Sequence, residues 1–131
     1  MTDILLPLPH RRAWFWLSVV LVTGVIVMTL MPGDMTVDLG KGDKLAHGTT
    51  YLVLAVWFAG VCRRESWPWV ATGLLLLGFV LELAQGAMHV QRVADPRDMA
   101  ANAVGVATGM LLAFLGAASW AQRLETWLAR T

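Results

Sequence analysis

Nineteen consecutive residues, Ala13 to Met31, carry no charge, and three more apolar runs follow: about Leu45 to Cys62, Trp67 to about Met88, and about Met99 to Ala118. A helix needs about 20 apolar residues to cross roughly 30 Å of hydrocarbon. Lipid offers no water to unpaired backbone groups, so only helices or closed barrels can span it, and these runs are too long for barrel strands. They predict an all-α membrane protein with four transmembrane helices, at about 13–31, 45–62, 67–88 and 99–118. A single domain is expected over 1–131, ending in a polar, amphipathic tail from Ser119 to Thr131. With 57% hydrophobic and 15% charged residues, the chain is too apolar for an ordinary soluble domain of this size. A net charge of +1 points to neither nucleic acid nor a polyacidic partner. Cys62 is the only cysteine, so no intrachain disulfide can form and a metal site would fall to histidines and carboxylates.

His10-Arg11-Arg12 before the first run resembles the start of a signal peptide. The apolar stretch is longer than the usual signal core, however, and no small-residue cleavage site follows in Met31-Pro32-Gly33-Asp34, so a retained helix is expected. With four spans the two termini share a side. That side carries Arg11, Arg12, Arg63, Arg64, Arg123 and Arg130, against Lys41, Lys44, Arg92 and Arg97 on the other. All seven tryptophans (Trp14, Trp16, Trp57, Trp67, Trp69, Trp120, Trp127) also fall toward the termini, where they predict an aromatic belt at headgroup level. The expectation is a multi-pass protein of the cytoplasmic (inner) membrane with both termini cytoplasmic.

Against this apolar background stand Asp43, Lys44, His47, Tyr51, Glu82, Gln85, Arg92, Asp98 and Asn102, all on the extracytoplasmic half in this topology. An ionised side chain at the bilayer centre costs about 2.5–3.5 kcal/mol on insertion scales, so such residues usually face one another or a wet cavity. Asp43, His47 and Tyr51 are four apart and share a helix face; Glu82 and Gln85 are three apart. Asp98, Asn102, Gly105 and Gly109 form one stripe, polar at its outer end and glycine further in. The Gly105-x-x-x-Gly109 part favours close helix packing and should carry Asp98 and Asn102 inward.

Taken singly, each residue has a plainer reading. Asp98 and Asp43 suit helix N-caps. His47 and Tyr51 suit satisfied core positions, and Asn102 and Gln85 suit interhelical hydrogen bonds. Glu82 fits least well, since a carboxylate at that depth calls for a proton or a cation, with Arg92, Lys44 and His47 as candidates.

The joint pattern resembles a known family. Asp43-Lys44-x-x-His47-x-x-x-Tyr51, then Glu82-x-x-Gln85, then Arg92 and Asp98-x-x-x-Asn102-x-x-Gly105-x-x-x-Gly109 are similar to the motifs of the VanZ-like proteins. These are small polytopic membrane proteins associated with teicoplanin resistance. The resemblance covers Asp43 to Gly109 and implies a membrane-embedded polar site and an influence on glycopeptide susceptibility.

The residue types suggest a site for an anionic lipid headgroup or a lipid-linked cell-wall precursor. Lys44 and Arg92 would hold phosphate or carboxylate, with Tyr51, Gln85, Asp98 and Asn102 as further binding groups. Asp43 would orient the His47 imidazole, and His47 and Glu82 would move protons in hydrolysis or transfer. Two other readings stay open. One is a binder or transporter, which with four helices would need a homo-oligomer; the other is a polar network that only fixes helix packing. Zinc on Asp43, His47, Glu82 and His89 is disfavoured by the nearby Lys44 and Arg92, and no metal or cofactor is expected.

Overall fold

A computed structural model describes residues 4–31, 43–88 and 95–130, with the side chain of Asp43 outside the description. Among these residues the structure is helical: α1 (Arg11–Leu30), α2 (Asp43–Val61), α3 (Trp67–Ala87), α4 (Pro96–Phe114) and α5 (Trp120–Leu128). Short 3-10 turns, Arg64–Ser66 and Ala117–Ser119, lead into α3 and α5. Of these, α1 and the stretch Arg64–Ala87 are long and apolar enough to cross a membrane, and a third span results if α4 and its bent continuation count as one. The helix α2 falls short of that measure because its first nine residues include Asp43, Lys44, His47, Gly48, Thr49, Thr50 and Tyr51.

Local chemistry sets the helix ends. Met31 is extended (φ −61°, ψ 138°), as a residue before proline tends to be, and α1 stops there. Asp95 caps α4: its side chain accepts the Arg97 backbone N–H at 2.9 Å, and Pro96 fills the first helical position. The fourth helix therefore begins three residues before the apolar onset at Met99. It ends at Phe114; Gly116 follows with a φ of +117°, open to glycine but strained for other residues, and the chain turns by 73° into α5. We treat α5 as lying outside the spans.

The closest pair is α2 and α4. A Cβ on Gly105 would run into the Gly48 carbonyl oxygen, and one on Gly109 would lie 2.6 Å from Leu52 O and from Ala55 Cβ. The two backbones thus touch along a line, and Tyr51, Leu54, Ala55, Leu74 and Val106 form the core beside it. By contrast α1 fully buries only Trp14 and Ser18, packs Leu21 and Val25 partly against that core and presents much of its remaining apolar surface outward.

A second core closes the termini end. Leu5 and Cys62 form an isolated antiparallel bridge, with Leu6 N–H donating to Val61 O (2.9 Å) and Arg63 N–H to Ile4 O (2.8 Å). Trp14, Trp57 and Trp120 pack with ring centroids 4.9–5.9 Å apart. The expected belt of seven tryptophans therefore divides. Four indoles donate inward: Trp14 to Glu125, Trp57 to Ser18, Trp67 to Ala59 O and Trp120 to Val56 O. Only Trp16, Trp69 and Trp127 are well exposed. An indole N–H beside a buried acceptor is better satisfied there than at the bilayer surface, which accounts for the division.

Glu125, buried on α5, collects three donors. Trp14 Nε1 (2.7 Å) and the His10 backbone N–H (3.1 Å) reach Oε1, and the His10 ring Nδ1 lies 2.8 Å from Oε2. These bonds, the His10 side chain first, hold the Glu125 carboxyl below its ordinary value of 4.5. A lowered folded value means that the stabilisation is complete above about pH 4.5 and fades as pH falls through the folded value. Acid titration is therefore expected to release α5 from Trp14, read as a change in tryptophan emission below pH 4.5 that is missing in Glu125→Gln. An unchanged titration in that variant would assign the transition to another group.

Candidate functional site

At the end of the bundle opposite Trp14 and Glu125, α2, α3 and α4 bring together Lys44, His47, Glu82, Asp95, Asp98 and Asn102. Lys44 and His47 stand one turn apart on α2. The Lys44 ammonium donates to Asp95 Oδ2 at 3.0 Å and to Asp98 Oδ1 at 3.1 Å, tying the start of α2 to the start of α4. An ammonium has three donors, so one is left over, and the Lys44 side chain is 44% exposed. The Arg97 backbone N–H, and after it Lys44, holds the Asp95 carboxyl below its usual range.

One helical turn inward, His47 Nδ1 is 3.2 Å from Asn102 Oδ1. An amide oxygen can only accept, so Nδ1 carries the hydrogen of this bond and Nε2 is the ring nitrogen left for another group. Among the described residues Nε2 has no hydrogen bond. Asn102 is buried on the inward stripe with Asp98, Gly105 and Gly109. Gly78 on α3 leaves room for it: a Cβ there would lie 3.1 Å from Asn102 Nδ2 and 3.2 Å from the Tyr51 hydroxyl.

Glu82 is 2% exposed, and its Oε1 accepts the Asp95 backbone N–H at 2.8 Å. The sequence called for a proton or a cation at this carboxylate, and the candidate Arg92 lies outside the described residues. The partner found among the described residues is a backbone amide at the α4 cap. Gln85, one turn on, donates to the Thr29 carbonyl at 2.6 Å and so ties α3 to the end of α1.

Six of the expected site residues thus gather at this end: Lys44, His47, Tyr51, Glu82, Asp98 and Asn102. Gln85 serves the α1–α3 contact, and Gly105 and Gly109 form the α2–α4 seam. Arg92, His89 and the side chain of Asp43 lie outside the described residues. Whether Asp43 orients His47, as expected, lies outside the described residues; among them the partner of His47 is Asn102. Asp95 was missed, although it caps α4, binds Lys44 and donates to Glu82. Its signal was present in Asp95-Pro96, an N-cap residue followed by proline at the first helical position. No group of three or more His, Cys, Asp or Glu side chains with metal-binding spacing occurs among the described residues.

Chemically, the cluster offers a cation with a spare donor, an imidazole with an open basic nitrogen, and a buried carboxylate beneath the cap. It can hold a polar group that brings oxygen atoms to Lys44 and can exchange a proton with His47. Comparison with protein-family models, with curated proteins and with solved structures finds no match for this chain.

Proposed function

We propose that this chain is a VanZ-like integral membrane protein with four spans and cytoplasmic termini. Its polar cluster binds the headgroup of an anionic lipid or lipid-linked cell-envelope precursor from the extracytoplasmic side. His47 is the proton-transfer group, and an effect on glycopeptide susceptibility would follow from the bound precursor. The observation that carries this reading is the His47–Asn102 bond, which holds the ring so that Nε2 is open one turn from the Lys44 ammonium. Lys44 supplies its third donor to a headgroup oxygen, and Arg92, in the connection before Asp95, adds a bidentate fork. The motif resemblance from Asp43 to Gly109 supports the same set of residues. The proposed topology is tested by a thiol at Arg97 in a Cys62→Ser background. It should react with a membrane-impermeant reagent from outside intact cells; labelling only from the cytoplasmic side overturns it.

The functional test is the lipid complement of the purified protein. A lipid with a phosphate-bearing headgroup should co-purify with the wild type and be lost from His47→Ala and Arg92→Ala, both still inserted. Conversion of that lipid by the wild type, read by mass spectrometry, makes the site catalytic, and retention without conversion makes it a binder or transporter. A structural reading also has an observation in its favour: among the described residues, every buried side-chain nitrogen and oxygen has a partner. It prevails if no lipid is retained and the His47 and Arg92 variants lose stability instead.

A further inference from the structure

The termini end is rich in positive charge. Arg11, Arg12, Arg63, Arg64, Arg123 and Arg130 are all exposed there, and the carboxylates described at this end are Glu65 and Glu125. Glu125 is buried and bound to Trp14 and His10, so it does little to offset the six guanidiniums. Arg64 stacks over the Trp67 and Phe114 rings, 5.4 and 4.8 Å from their centroids. Arg64 therefore sits against aromatic surface at the edge of the bundle.

An open crevice of about 770 Å³ lies between the N-terminal segment and the first turns of α1. Arg11 and Arg12 supply its charge, and Leu5, Pro9, Phe15 and Trp16 supply its apolar walls. The Phe15 and Trp16 rings meet edge-on at 5.4 Å and are 48% and 63% exposed. Cation and amphipathic ring side by side match the layer where phosphate gives way to glycerol and acyl chain. A free anion would use the guanidiniums and leave the aromatic wall bare.

We propose that this crevice binds the headgroup of an anionic phospholipid from the leaflet facing the termini. Arg12 forks the phosphate, and Phe15 and Trp16 pack against the glycerol and the first acyl carbons. The site is separate from the Lys44–His47 cluster and stands whether or not that cluster binds a headgroup.

The test uses the full chain in nanodiscs of phosphatidylcholine with or without phosphatidylglycerol, with retained lipid counted by native mass spectrometry. Phosphatidylglycerol should be retained over phosphatidylcholine by about fivefold for each arginine engaged. Arg12→Gln with Trp16→Ala should remove that preference, while Arg97→Gln, at the other end, should keep it. If the double variant melts below the wild type, the single Arg12→Gln decides, because its side chain is exposed. Equal retention of the two lipids by the wild type, or a preference that survives Arg12→Gln, overturns the proposal. Displacement of the lipid by millimolar inorganic phosphate also overturns it, since that would show a site for the anion alone.

Discussion

Gly105→Val is expected to lower the stability of the detergent-solubilised protein by about 1–3 kcal/mol, toward the upper end of what overpacking usually costs. The reason is geometric. The first atom of any side chain at this position meets the Gly48 carbonyl oxygen and comes within 3.0 Å of the Gly48 carbonyl carbon and 3.1 Å of the Leu52 nitrogen. These are backbone atoms, so no rotamer change relieves the conflict and α2 and α4 must separate. Separation would also pull Lys44 from Asp98 and His47 from Asn102, since both pairs bridge the same two helices. Loss of stability and loss of bound headgroup should therefore appear together. Gly73→Ala is the control, because nothing lies within 4 Å of its added Cβ. If Gly73→Ala and Gly105→Val melt alike, the α2–α4 seam is not where the bundle is closest.

The second large effect is expected at Glu82. Glu82→Ala leaves the Asp95 backbone N–H without its acceptor in a buried setting, which costs about 1–3 kcal/mol, and it adds a void. Glu82→Gln keeps a carbonyl oxygen at the same reach and should recover most of the loss. Hydrogen exchange at the Asp95 amide is the direct readout: fast in Glu82→Ala, near wild type in Glu82→Gln. Because Asp95 also holds Lys44, the Ala variant should loosen the start of α2 as well. Equal destabilisation by Ala and Gln would mean that the negative charge of Glu82, rather than its hydrogen bond to the cap, holds this end together.

Much of the architecture is legible because lipid admits few solutions. The uncharged run to Met31 and the long run from Trp67 mark α1 and α3, and the 98–102–105–109 spacing marks the buried face of α4. What the sequence hides are partners chosen by the backbone or across long separations. The depth of Glu82 calls for a proton or a cation, but the sequence gives no hint of the backbone N–H of the α4 cap that its carboxylate accepts. The apolar onset at Met99 hides a helix that begins at Pro96, because cap chemistry and not hydrophobicity sets that boundary. Glu125 looks like a surface residue of a polar tail; its partners Trp14 and His10 are 111 and 115 residues away in the chain. The sequence groups the tryptophans toward the termini, but which indole turns inward depends on where an acceptor such as Ser18 or Val56 O happens to lie.

That 111-residue separation also bears on the order of assembly. In the proposed topology Trp14 enters the membrane early in synthesis, yet the carboxylate that receives its indole N–H emerges only after the ribosome has added more than a hundred further residues. On that topology α5 docks last, and a ribosome stalled before Glu125 would hold a bundle whose termini end is still unsealed.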